Sequence, residues 1–151
     1  MYTRHLLLTI LIGSALLAGC GGGSDDQGTT LHVIEHATTN TLQHIGPAGE
    51  KDSIGDVLAY ANPIFDAANE KRIGSDNGSC IRTVVGDAWE CQWTTTLPDG
   101  QIVVEGPFFD DRDSVNAITG GTGAYDDATG EMDLHYRDPK GSEYDFIFHL
   151  R

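Results

Sequence analysis

The most constraining feature of this chain is a period of two that runs through its second half. From Ala88 to Leu97, Trp89, Cys91, Trp93, Thr95 and Leu97 share one face, and Glu90, Gln92, Thr94 and Thr96 share the other. Such alternation fits the pleat of a half-buried strand and cannot form the stripe of a helix. Pro98-Asp99-Gly100 then supplies turn chemistry, since proline presets φ and glycine accepts a positive value. Gln101–Phe109 resumes the pattern through Ile102, Val104, Gly106 and Phe108. Met132, Leu134 and Tyr136 repeat it, and after Asp138-Pro139-Lys140-Gly141 so do Tyr144, Phe146, Phe148 and Leu150. Leu31–Ala37, Lys71–Val84 (bent at Gly74 or Gly78) and Ala117–Thr119 are further strand candidates. Asp56–Tyr60 and Pro63–Glu70 carry weak helical or irregular signals. About seven or eight short strands at regular spacing predict an all-β antiparallel barrel or sandwich. The barrel is the better solution because closure removes exposed edges.

A length of 151 residues suits one domain, and 23 acidic against 9 basic side chains give a formal charge of −14. That balance excludes electrostatic capture of nucleic acid or of anionic headgroups. The N-terminus reads as an address. Met1-Tyr2-Thr3-Arg4-His5 precedes the apolar Leu6–Ile12, a run too short to span a bilayer and suited to a signal-peptide core. Leu17-Ala18-Gly19-Cys20 resembles a bacterial lipobox: small residues admit a peptidase, and only a thiol forms the thioether to diacylglycerol. The expected organisation is a signal peptide over 1–19, a lipidated tether over 20–30 and a barrel over 31–151. Residues 21–30 contain four glycines and no apolar side chain, and as random coil they span about 17 Å. The chain is thus expected in the bacterial envelope, facing the periplasm or exterior, with the membrane as partner through lipid alone.

A hairpin centred on Val85 and Gly86 sets Cys80 opposite Cys91, where Cβ atoms approach to about 5 Å. With Cys20 assigned to lipid, the two form a disulfide in an export compartment, or else remain buried thiols.

Three stretches carry a family resemblance. They are Gly106-Pro107-Phe108-Phe109-Asp110-Asp111-Arg112-Asp113-Ser114 with Ala117–Tyr125 and Gly130; Ser53-Ile54-Gly55-Asp56 with Tyr60-Ala61-Asn62 and Lys71-Arg72-Ile73-Gly74; and Gly78-Ser79-Cys80. In this order they resemble the allene oxide cyclase family, within the wider group of barrels that includes dirigent proteins. The resemblance implies an eight-stranded antiparallel barrel with an apolar lumen, often trimeric, so a homo-oligomer (trimer or dimer) is expected.

The first strand places Leu31, Val33, Glu35 and Ala37 on one face. Should that face look inward, Glu35 becomes a carboxyl in an apolar cavity with a raised pKa. The resemblance implies catalytic roles for Glu35, which stabilises positive charge as an epoxide opens, and for Asn62, which helps hold a water on the oxygen. Val33, Cys80, Trp89, Trp93 and Phe108 are the expected ligand-contacting residues. A family asparagine two residues after the glutamate is Ala37 here, and a Cys80–Cys91 disulfide would remove a thiol from the pocket.

Other chemistry is weaker. Thr119-Gly120-Gly121-Thr122-Gly123 lacks the lysine and helix of a phosphate loop, so its glycines serve bends and close strand packing. His32 and His36, four apart on a strand, stand about 13 Å from each other, too far to share a metal. His44, His135 and His149 show no ligand spacing, and Asp110-Asp111-Arg112-Asp113 lacks the pattern of a calcium loop. Neither metal nor cofactor is expected. The sequence leaves three readings: an isomerase or cyclase acting on a small hydrophobic molecule, a hydrophobic-ligand-binding barrel, or a dirigent-like assembly protein.

Overall fold

The computed structural model describes residues 28–151; the signal-peptide reading, Cys20 and most of the tether lie outside them. The strands are β1 (Thr29–His36), β2 (Thr41–Gln43), β3 (Val57–Asp66), β4 (Arg72–Val84), β5 (Ala88–Leu97), β6 (Gly100–Phe109), β7 (Ser114–Gly123), β8 (Gly130–Tyr136) and β9 (Glu143–Leu150). They pair antiparallel in the order β1-β9-β8-β7-β6-β5-β4-β3, and β1 pairs with β3 to close the ring. The result is the expected eight-stranded barrel, with β2 a short extra strand on β3. No helix occurs among the described residues.

Closure follows from alternation. On β5 the inward set Trp89, Cys91, Trp93, Thr95 and Leu97 is buried, as read from the sequence. Burying each large side chain of this kind contributes about 1.5–3 kcal/mol. β1 begins at Thr29 rather than Leu31, because Thr29 and Thr30 complete the ladder against Leu150 and His149. The strand expected at Ala117–Thr119 extends over all of β7.

One expectation is corrected. Val57–Tyr60 and Pro63–Asp66 are not helical or irregular but lie in β3, while Ala67–Glu70 is an irregular turn as expected. Leu58, Tyr60, Asn62 and Ile64 face inward there, and two polar members of that set obscured the period. Pro63 is tolerated because it follows the last β1–β3 pair, Glu35↔Ile64, where a ladder donor is no longer required.

Gly121 bears out the packing role given to the glycine run. A Cβ built there would lie 2.1 Å from the Tyr125 carbonyl oxygen and 2.5 Å from that of Gln101. The register on β3–β4 slips between Ile64 and Phe65, opposite Gly74 and Arg72, which marks the expected bend.

The barrel has two unlike ends. Around its lower half, Val33, Ile64, Ile102, Val104, Met132 and Phe148 are fully buried and pack together. Gly28 and Arg151 lie at that end, with the β5–β6 and β7–β8 turns. The upper end carries residues 37–56, the β6–β7 turn and the β8–β9 turn, and there the interior is hollow.

Asp56 organises the long upper loop. Fully buried, it accepts from Ile45 N (2.9 Å) and Ser53 N (3.0 Å) and pairs with His44 Nδ1 (2.7 Å). Burial opposes its charge, but donation from Ile45, His44 and Ser53 outweighs burial and holds the carboxyl below its ordinary range. Asp56→Ala should free the loop while the barrel stays folded. Amide exchange at Ile45 and Ser53 should speed up at least about tenfold, read by hydrogen–deuterium exchange; unchanged rates would remove this role.

Candidate functional site

The hollow is a cavity of about 320 Å³, at the small end of ligand pockets. Glu35, Asn62, Cys80, Trp93 and Phe108 line it, so the structure brings together five of the seven residues expected to act on or touch a ligand. Val33 and Trp89 do not line it. Val33 lies one inward step below Glu35, in the packed half of the core. Trp89 packs under the Arg82 guanidinium at 3.9 Å and donates Nε1–H to Asp110 at 3.0 Å.

Glu35 is 5% exposed and looks inward from the last turn of the β1 pleat. Its side-chain partner is Asn62, whose Nδ2 donates to Oε1 at 2.7 Å. That orientation is forced, because Asn62 Oδ1 accepts from Thr38 N (3.0 Å) and Thr39 N (2.8 Å). Only the amide nitrogen can then face the carboxyl. Asn62 thus seals the seam where β1 departs from β3 and fixes Glu35 with the same side chain. Burial pushes the Glu35 carboxyl up to about 7, against the smaller lowering effect of the Asn62 hydrogen bond. A carboxyl at that value exists in both forms near neutrality, the condition that favours proton transfer in either direction.

The lumen is less apolar than expected. Asp76, on β4 beside Asn62 in the β3–β4 register, is fully buried. Its Oδ1 accepts from Thr95 Oγ1 at 3.0 Å, and its Oδ2 has no partner. Burial and then the Glu35 charge raise this carboxyl well above its ordinary range. Tyr60, Tyr136 and Tyr144 also line the cavity, and burial raises each phenol, so all three remain neutral donors. Tyr136 donates its hydroxyl to the Phe109 carbonyl at 2.7 Å.

Asp76 gave no signal, because Gly74-Ser75-Asp76-Asn77-Gly78-Ser79 has no apolar alternation to show which residues face inward. Tyr136 and Tyr144 were legible by parity with Leu134 and Phe146. Tyr60 was hidden by the misread β3.

Cys80 and Cys91 are bonded to each other across β4–β5, directly opposite as the hairpin arithmetic required. Both sulfurs' residues lie in the cavity wall, which therefore offers no thiol there. Ala37 also lines the cavity, and its methyl group brings no hydrogen-bonding atom to the wall.

The acidic turn is structural. Asp110 accepts from Arg82 (2.8 Å) and Trp89, Arg112 spans Asp87 and Asp111, and Asp113 accepts from Tyr136 N (3.0 Å). The histidines pair separately. His32 meets Asp145, His36 meets Asn69, His135 meets Asp113 and His149 meets Asp133, each within 2.9 Å.

Residues 31–138 match the family model described as allene oxide cyclase. Among solved structures, a pyocyanin demethylase is similar at 21% identity over 80% of this chain and 100% of its own, with a TM-score of 0.64. A pterocarpan synthase dirigent protein is similar at 20% identity over 83% and 97%, with a TM-score of 0.64. A Diels-Alderase from Streptomyces koyangensis shares 19% identity over 82% and 63%, with a TM-score of 0.65. At these identities the structures speak for the fold alone. The family match spans well over half of the chain and covers the barrel from β1 through β8, and on that ground this protein belongs to the allene oxide cyclase family.

Proposed function

We propose that this barrel is an isomerase or cyclase acting on a small hydrophobic molecule, unsaturated or epoxide-bearing, inside the lumen. The observation that carries the reading is Glu35. It is a buried carboxyl with an amide partner, held near neutrality at the wall of a cavity large enough for a ligand. In its neutral form Glu35 donates to an oxygen as a ring opens; ionised, it stabilises the positive charge that follows. The aromatic walls fold the substrate into the conformer that closes. That similar barrels are named as a Diels-Alderase and a pterocarpan synthase supports lumenal ring chemistry of this general kind.

The test is incubation of the purified chain with a panel of unsaturated epoxides and polyenes, followed by chiral chromatography of the products. New ring products or altered stereochemistry are expected, with Glu35→Gln lowering turnover at least about a hundredfold. A panel left unchanged by the native chain would overturn catalysis.

Ala37 and the disulfide favour a second reading, a carrier that holds its ligand unchanged, since both remove reactive groups from the wall. Ligand that co-purifies and is released intact would support it. For location, the proposal is lipidation at Cys20 and residence in the bacterial envelope. Metabolic labelling with an alkynyl fatty acid should mark the chain and be lost in Cys20→Ala; equal labelling of both would exclude the anchor.

A further inference from the structure

The chemistry of the lumen wall narrows the ligand further, an inference that rests on the lumen being the ligand site proposed above. Six rings contribute to the wall: Tyr60, Trp93, Phe108, Tyr136, Tyr144 and Phe146. All but Tyr60 meet in edge or tilted contacts, with Tyr136–Tyr144 centroids at 4.9 Å and Trp93–Phe146 at 5.8 Å. Ring walls of this kind recognise another planar ring by offset or edge contact, and a cation through the π face.

The charges point the same way. Glu35 is in the wall and Asp76 lies behind it, both buried carboxyls. Lys140, exposed on the β8–β9 turn at the mouth, is the one basic side chain lining the cavity among the described residues. The buried Arg82 is already paired with Asp52 at 2.7 Å and Asp110 at 2.8 Å. An anionic group driven inward would therefore lose its hydration against two acids, with no buried cation to receive it. A flat ring, neutral or carrying a positive nitrogen, meets rings and Glu35 at once. The volume suits a molecule of two or so fused rings better than a long acyl chain.

We propose that the lumen selects compact planar aromatic or heteroaromatic molecules, neutral or cationic, with Glu35 as the specificity-determining residue, and that it rejects aliphatic carboxylates. Glu35 ionises more fully when a cation sits beside it, while the neutral phenol of Tyr60 donates to ring substituents; Tyr136 already donates to the Phe109 carbonyl.

The test uses the purified full chain and four probes: N-methylquinolinium, quinoline, quinoline-2-carboxylate and oleate. Tryptophan quenching reads the first three, since Trp93 is in the wall, and displacement of N-methylquinolinium reads oleate. The cation and quinoline should bind saturably, and both carboxylates at least about tenfold more weakly. Glu35→Gln should cost the cation about tenfold and leave quinoline within about twofold. A cation preference that survives Glu35→Gln would come from the acidic surface and overturn the proposal. Oleate binding as tightly as the cation would overturn it too, yet leave the hydrophobic-ligand reading standing. Failure of all four probes to bind would overturn both.

Discussion

Glu35→Gln should make the barrel about 3 kcal/mol more stable above roughly pH 8, while abolishing any turnover in the lumen. The sign follows from the direction of the shift. Burial lifts the folded-state carboxyl from its ordinary value of 4.5 to about 7. Between those values the folded chain binds more protons than the unfolded one, so stability falls as pH rises through that window and then levels. Gln keeps the acceptor for Asn62 Nδ2, which now donates at 2.7 Å to Oε1, and removes the charge that burial penalises. The two proteins should match near pH 4, diverge through neutrality and run parallel above about pH 8. Asp76 carries the same sign, since burial and the Glu35 charge raise it as well. Repeating the comparison in an Asp76→Asn background separates the two acids. Urea denaturation across the pH range is the measurement, and parallel curves throughout would show that Glu35 carries no displaced proton.

The second large effect belongs to the disulfide. Removing it with Cys80→Ala and Cys91→Ala together should cost about 3 kcal/mol and lower the melting temperature by roughly 10 °C. The bond closes a short loop, 11 residues in sequence separation, so most of its effect falls on the unfolded chain. The β4–β5 ladder runs well beyond it, from Ser75↔Thr96 to Val84↔Ala88, and should keep the native fold in the double variant. Both residues are 3% exposed, and truncating them also thins the cavity wall. Thermal melts of native, reduced and double-variant protein test the point. An unchanged midpoint would show that the ladder and core need no covalent help.

Most of the barrel was legible because apolar side chains at every second position state both the strand and its inner face. β5, β6, β8 and β9 showed this fully, and the Cys80–Cys91 pairing followed from where the β4–β5 turn had to lie. β3 was misread for an intelligible reason. Its inward residues include Tyr60 and Asn62 and its sequence includes Pro63, so hydropathy alternation failed at the positions that build the site. Glu35 was legible from parity with Leu31 and Val33, but its Asn62 partner was visible only through a family likeness. Asp76 could not be read at all, since nothing in a run of glycines, serines and polar residues distinguishes a buried acid from a solvated one. Polar groups that enter a cavity break the pattern that reveals the cavity.

The two ends of the barrel bear on traffic. Gly28 joins the folded part at the packed end, and the cavity opens at the other. The molecule resembles a goblet whose bowl opens away from the end at which Gly28 enters. With Cys20 held in lipid as proposed, the chain reaches the barrel at the end opposite the bowl, which leaves the bowl free to face the aqueous compartment. In that arrangement cargo can enter from water or from a soluble donor. Exchange through the upper mouth also has an order, because whatever was made or carried there must depart before the next molecule can enter.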